Sequence, residues 1–153
     1  MFIPDTSTAQ VVTVNATGDV KCRIGVLDAG TPEATIALKT GDTVIHLRDI
    51  NGALDTLELV WRAAHGLEHR LPWRDTSRLP GGAPGLYRVA SLVVIQGRTA
   101  AMHTFLPATR RTPKHIRVQF GPVVWRVTDL LAMRAISTAV ERAHQIARPL
   151  REI

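Results

Sequence analysis

The sequence predicts an α+β fold: tandem duplicated ββββα units whose antiparallel sheets pack on two helices with pseudo-two-fold symmetry. Three observations predict it. Shifted against itself by 80 positions, the chain aligns 11–64 with 91–144 without a gap. Within that span Ile36, Gly41, Val44, Asp49, Val60, Arg62 and Ala63 meet the same residue types at 116, 121, 124, 129, 140, 142 and 143. Each copy carries four short segments of strand character, with turn residues between them. Each then changes to helical periodicity behind an aspartate, Asp49 or Asp129, placed to accept the free amides of a helix start.

The elements follow in order. Segments 11–16 and 91–96, rich in valine and isoleucine, are first strands. Thr17, Gly18 and Asp19 in one copy, and Gly97 and Arg98 in the other, are hairpin turns into second strands at 19–27 and 99–106. Proline-containing loops, 28–33 and 107–114, lead to third strands at 34–40 and 115–120. Gly41-Asp42 and Gly121-Pro122 turn the chain into fourth strands at 43–48 and 123–128.

The first helix, 50–65, places Ile50, Ala53, Leu57, Val60 and Ala64 on one stripe and ends near Gly66, a candidate left-handed cap. The second, 130–148, places Leu130, Met133, Val140 and Ala147 on the equivalent stripe, with Ile136 and Ala143 beside it. One domain over 1–153 results, built of repeat 11–65, linker 66–85 and repeat 86–148. Pro72, Pro80, Gly81, Gly82, Pro84 and Gly85 mark the linker.

Composition narrows the class. Hydrophobic residues make up 45% and charged residues 21% of 153, which suits a globular protein and not a disordered one. No stretch approaches the roughly 18 apolar residues of a membrane span, and the first residues lack the basic and apolar regions of a signal peptide. The cytoplasm is the expected compartment. Cys22 is alone and falls on an inward strand position, as a buried inert thiol does. The net charge is +6, and lysine occurs only at 21, 39 and 114, so arginine supplies most of it.

Strand alternation assigns these charges to faces. In the first copy Val12, Val14, Val20, Cys22, Ile24, Val26, Ile36, Leu38, Ile45 and Leu47 point inward. Lys21, Arg23, Ala37, Lys39, Val44, His46 and Arg48 point outward. In the second copy the inward set is Leu92, Val94, Ala100, Met102, Ile116, Val118, Phe120, Trp125 and Val127. The outward set is Val93, Ile95, Ala101, His103, Phe105, Arg117, Gln119, Val124 and Arg126. No Asp or Glu falls on either outward face, whereas an idle solvated face mixes signs. Cations among apolar and aromatic side chains describe a surface that holds phosphates while bases lie on the rest. Bare decoration of exposed strands, or a protein-docking surface, are the competing readings.

Two successive four-strand-plus-helix units with a basic sheet face resemble the Whirly, Pur-repeat and positive-cofactor-four group of single-stranded nucleic-acid binders. The resemblance covers nearly the whole chain and lies in topology and charge placement. It implies paired units with helices packed together and sheets presented to the strand. The Lys-Gly-Lys-Ala-Ala-Leu stretch of plant Whirly proteins has no counterpart here.

Other constellations read as structural. His65 and His69 share metal-ligand spacing, but Gly66 interrupts them at a helix end. The run 80–85 lacks the Gly-Lys-Ser/Thr of a phosphate loop. Trp61 and Trp73, near the end of the first helix, suit core packing or a subunit contact. Asp55 and Glu58 share a helix surface with Arg62. No catalytic set, metal site or cofactor motif emerges. The expected function is a non-enzymatic protein that binds single-stranded DNA or RNA through Lys21, Arg23, Lys39, His46, Arg48, His103, Phe105, Arg117 and Arg126. The alternative is an oligomeric assembly protein of a virion or mobile element that uses the same surface or its sheet edges to build a homo-oligomer.

Overall fold

Short apolar segments become strands and the two amphipathic stretches become helices. The order is β1 (Val12–Ala16), β2 (Cys22–Leu27), β3 (Thr35–Thr40), β4 (Thr43–Leu47), a wide π-type turn (Ile50–Leu54), α1 (Asp55–His65), and a single 3-10 turn (Glu68–Arg70). Then follow β5 (Ser91–Ile95), β6 (Ala101–Leu106), β7 (His115–Phe120), β8 (Val123–Val127) and α2 (Leu130–Leu150). The computed structural model describes residues 11–48, 50–76, 91–97 and 99–150, and of Asn51 the backbone alone. The expected cap Asp49, Arg98 of the second turn and the Pro/Gly run 80–85 lie outside the described residues. The fold is α+β, with two four-stranded sheets and two α-helices among the described residues.

The strands do not pair as hairpins throughout. The first sheet has the order β2-β3-β4-β5 and the second β1-β8-β7-β6. Thus β1 leaves its sequence neighbour β2 and lies parallel to β8, with Val14 beside Trp125. Likewise β5 leaves β6 and lies parallel to β4, with Ile45 beside Val93. Both sheets are therefore mixed, not antiparallel. The residues after β1 do turn, and Gly18 takes the left-handed φ of +68° that its missing Cβ permits. Turn chemistry specifies a change of direction and leaves the partner strand open. Here the partner is settled by the other half: Thr128 N donates to Ala16 O at 3.1 Å, and the Thr17 and Thr128 hydroxyls share a 2.6 Å hydrogen bond.

The helices cross over as well. α1 follows β4 but packs on β6 and β7, whereas α2 follows β8 and packs on β2 and β3. The two helices also touch each other. One apolar cluster therefore draws on both halves: Ile36, Leu38, Ile45 and Leu47 from one, Ile116, Val118, Phe120 and Trp125 from the other, all fully buried. Trp61 of α1 meets Trp125 edge-on, ring centres 5.2 Å apart, a geometry the aromatic quadrupoles favour. Gly66 ends α1 in right-handed geometry, φ −61°, so the expected left-handed cap is not used. The 3-10 turn continues the chain instead, and its Leu71 returns to the core.

Asp129 works as the expected N-cap and does more. Its Oδ1 accepts Ala132 N at 2.8 Å in the first turn of α2. Its Oδ2 accepts Gly18 N at 2.8 Å and Asp75 N at 3.0 Å. The carboxylate is fully buried, and backbone amides from three parts of the chain satisfy it. Pro72 O and Trp73 O take the next free amides, those of Leu130 and Leu131, at 2.9 and 3.4 Å. The chain following α1, which reads as linker, thus seals the start of α2 as far as the described residues extend.

The burial pattern corrects the expected register. Read along the chain, β1 and β5 show the same succession of half-buried, exposed, buried, exposed and buried positions. That aligns Val12 with Ser91 and Val14 with Val93, an offset of 79. β2 and β6 start at the same spacing, whereas β3 and β7, like β4 and β8, start 80 apart. The loop 107–114 is one residue longer than the loop 28–34 and absorbs the difference. A one-residue slip exchanges the faces of a strand. Val93 and Ile95 are therefore buried while Leu92, Val94, Ala100 and Met102 are exposed, the reverse of the expectation. The inward sets of β1 to β4 and of β7 and β8 stand as expected.

Candidate nucleic-acid interface

Outward rows of the two sheets can be followed strand by strand. On the first sheet Arg23 stands opposite Lys39, Lys39 opposite Val44, and Val44 opposite Leu92. The next outward row is Gly25, Ala37, His46 and Val94. On the second sheet one row runs Thr104, Arg117, Arg126 and Asn15, and the other Met102, Gln119, Val124 and Thr13. Neither outward face carries an acid among the described residues.

Like charges directly opposite each other on neighbouring strands repel. Arg23 beside Lys39 and Arg117 beside Arg126 are two such pairs, one on each sheet. No ion pair within 4.0 Å involves any of the four among the described residues, where an ion pair joins Glu58 to Arg62 and histidine–carboxylate contacts join His65 to Glu68 and His144 to Asp55 and Glu58. Each pair would be relieved by an anion placed between its members.

The nine expected site residues separate into groups. Lys21, Arg23 and Lys39 are exposed and lie toward the end of the first sheet where Gly41 N binds Lys21 O. Asp19 and Asp42 stand at that rim without an ion pair to these cations. His46 and Arg48 lie toward the other end, where with Leu27, Thr35 and the loop acids Asp28 and Glu33 they line a cleft of about 490 Å³. Acids that belong to turns in the sequence thus temper the charge at that end. Arg117 and Arg126 sit at the centre of the second sheet.

Phe105 and His103 do not join them. β6 is inverted relative to the expectation, so Phe105 lies on the row facing α1 and packs against the core. The Arg70 guanidinium sits over its ring, 5.1 Å from the centroid. His103 shares that row but is exposed. No aromatic side chain lies on either outward face among the described residues. What the sequence reading missed is the apolar pair Leu92 and Val94, exposed at 63% and 44% on the edge strand β5. Val14 is buried at the place in β1 that matches Val93, and this turns Val93 inward and its neighbours Leu92 and Val94 outward.

Beside β2 the inward row faces a groove of about 700 Å³ against α2, lined by Cys22, Ile24, Arg23, Arg134 and Arg142 among others. Burial first, and the nearby Asp19 carboxylate second, push the Cys22 thiol up to about 11. A thiol in that state is protonated and weakly nucleophilic at neutral pH. Between the helices, His144 Nε2 of α2 reaches Glu58 at 2.9 Å and Asp55 at 3.6 Å, and Arg62 closes on Glu58 from the other side. This cluster links α2 to α1 through polar side-chain contacts. No group of three or more His, Cys, Asp or Glu residues with metal-site geometry occurs among the described residues. No helix of the described residues is long and apolar enough to cross a membrane. Comparisons with protein-family models, with curated proteins and with solved structures give no match for this chain.

Proposed function

We propose that this chain is a non-enzymatic, largely sequence-tolerant binder of single-stranded DNA or RNA that acts in the cytoplasm and holds phosphates on its outward sheet faces. The observation that supports it is the pair of like-charge contacts, Arg23 with Lys39 and Arg117 with Arg126, kept on surfaces free of acids among the described residues. Arginine and lysine without carboxylate partners suit phosphate, and alignment of several along a face suits a repeating polyanion. We further read the two halves as tandem copies related by an approximate two-fold axis. The matching element order, the exchanged parallel strands and the shared burial succession of β1 and β5 support that reading.

Fluorescence anisotropy with labelled single strands at two salt concentrations tests the function. Affinity should fall steeply with salt, each neutralised phosphate contributing about −0.7 to the slope of log affinity against log salt. An absence of binding at low salt would end the proposal. A second reading, self-assembly, has its own support in β5, an edge strand free of charge and proline with exposed Leu92 and Val94. Light scattering that shows a stable oligomer without nucleic acid would favour it.

A further inference from the structure

We infer that the first sheet alone orients the strand, with phosphates over Lys21, Arg23 and Lys39 and bases turned toward Val44, Leu92 and Val94. This rests on the nucleic-acid reading above and adds which face engages the bases, which way the strand lies there, and why single strands are preferred.

The outward face of this sheet is divided by chemistry. Its β2 and β3 side carries Arg23 and Lys39 with Lys21 beside them, all exposed. Beyond the β2 edge, Arg134 and Arg142 of α2 line the adjoining groove together with Arg23 and the one acid Asp19, so the net charge stays positive past the sheet. The β4 and β5 side carries Val44, Leu92 and Val94. One strand spacing, about 5 Å, separates Lys39 from Val44, and a second separates Val44 from Leu92. A single strand has the same division: charged phosphates along one side, and flat, largely apolar base faces along the other. Laid along β3, it meets cations with phosphates and covers Leu92 and Val94 with bases, removing exposed apolar surface from water.

The second sheet is arranged otherwise. Arg117 and Arg126 lie on its central strands, and Thr104 and Asn15 flank them on either side. The exposed Met102 and Leu106 lie on the edge strand β6, next to the arginine-bearing β7. On β1, the place that Leu92 and Val94 hold in β5 is taken by Thr13 and Asn15. On β6, Thr104 opposite Arg117 separates Met102 from Leu106, so that face offers charge without the unbroken apolar pair that Leu92 and Val94 form. A duplex cannot use the division on the first sheet either, because its base faces are stacked inside and only base edges, sugars and phosphates reach the surface.

The test uses the full chain in fluorescence anisotropy with three labelled probes of equal length: a mixed-sequence single strand, a strand of abasic sites, and a duplex. Leu92→Thr/Val94→Thr keeps strand propensity at two exposed positions. It should weaken binding of the base-bearing strand by tenfold or more, and leave its salt slope and the affinity for the abasic strand as in the wild type. Arg23→Ala/Lys39→Ala should flatten the slope by about 1.4 for both single strands. Arg117→Ala/Arg126→Ala, which removes cations from the other sheet, should lower the affinities for the base-bearing and abasic strands by the same factor, and by less than the Arg23/Lys39 pair does. Thermal melts followed by circular dichroism confirm that each variant folds, and Leu92→Ala/Val94→Ala serves as a second pair if the threonine pair does not. Equal binding of abasic and base-bearing strands by the wild type overturns the inference, as does a larger loss from the Arg117/Arg126 pair than from the Arg23/Lys39 pair. Either result leaves nucleic-acid binding itself standing. A wild type that binds no strand at low salt removes both.

Discussion

The Trp125 indole Nε1 donates to the Thr40 hydroxyl at 3.1 Å, joining strands of the two sheets whose residues stand 85 positions apart. Both side chains are fully buried. Replacing Thr40 by valine keeps the shape and removes the acceptor, which leaves the indole N–H without this partner in a dry setting. The expected cost is about 1–3 kcal/mol, read as a lower urea midpoint at unchanged slope. An unchanged midpoint would mean that water reaches the indole and the sheets are looser at this contact than described.

Phe105 changes its expected role. Because it packs against the core with Arg70 over its ring, Phe105→Ala should lower stability by roughly 2 kcal/mol, less than the 3–5 typical of a fully buried phenylalanine. Strand affinity and its salt slope should not change once both proteins are compared folded. A selective loss of affinity with normal stability would return Phe105 to the binding surface and put the inversion of β6 in question.

Cys22 supplies a pH dependence. Its folded thiol, pushed up to about 11 by burial and by Asp19, lies above its ordinary value of 9.0. Between these values the folded chain holds a proton that the unfolded chain releases, so stability falls as pH rises. The contribution is complete below about pH 9 and lost as pH passes about 11. Cys22→Ala should flatten the decline of thermal stability over that window. Thiol reagents at pH 8 should label the native protein more slowly than the unfolded one, and equal rates would show a freely exposed thiol.

The exchanged strands make the halves interdependent. A fragment 1–76 would carry β1 without β8, β4 without β5, and α1 without β6 and β7. Fragments 1–76 and 77–153 should each lack cooperative thermal transitions, and an equimolar mixture should regain one together with the helical signal. A native-like melt from either fragment alone would show that its strands can pair locally and that the exchange is not demanded by the sequence.

Much of this is legible before folding. The α+β class, all eight strand segments and both helices follow from local periodicity, because burial on one face imposes a period of two or 3.6 on the residues themselves. Asp129 is readable as a cap for the same reason: its bond to Ala132 spans three residues. Its bonds to Gly18 and Asp75 are not readable, since nothing local ties residues 111 and 54 positions away. Among the site residues, Arg23, Lys39, Arg117 and Arg126 fall outward as alternation requires. Val93, Ile95 and Phe105 do not, because β5 reads Ser-Leu-Val-Val-Ile and β6 has apolar residues on both faces, so neither has a period that chooses a side.

The sequence by itself therefore determined which segments become strands and helices, where they turn, and the placement of cations on β2, β3, β7 and β8. The tertiary structure decided the partners: β1 with β8, β4 with β5, and each helix over the other half's strands. It also decided the faces of β5 and β6, and so placed Leu92 and Val94 beside the cations of the first sheet. The division has a physical cause. Backbone periodicity and capping act over a few residues, whereas strand pairing and burial are settled by competition among distant apolar surfaces that meet only when the chain closes.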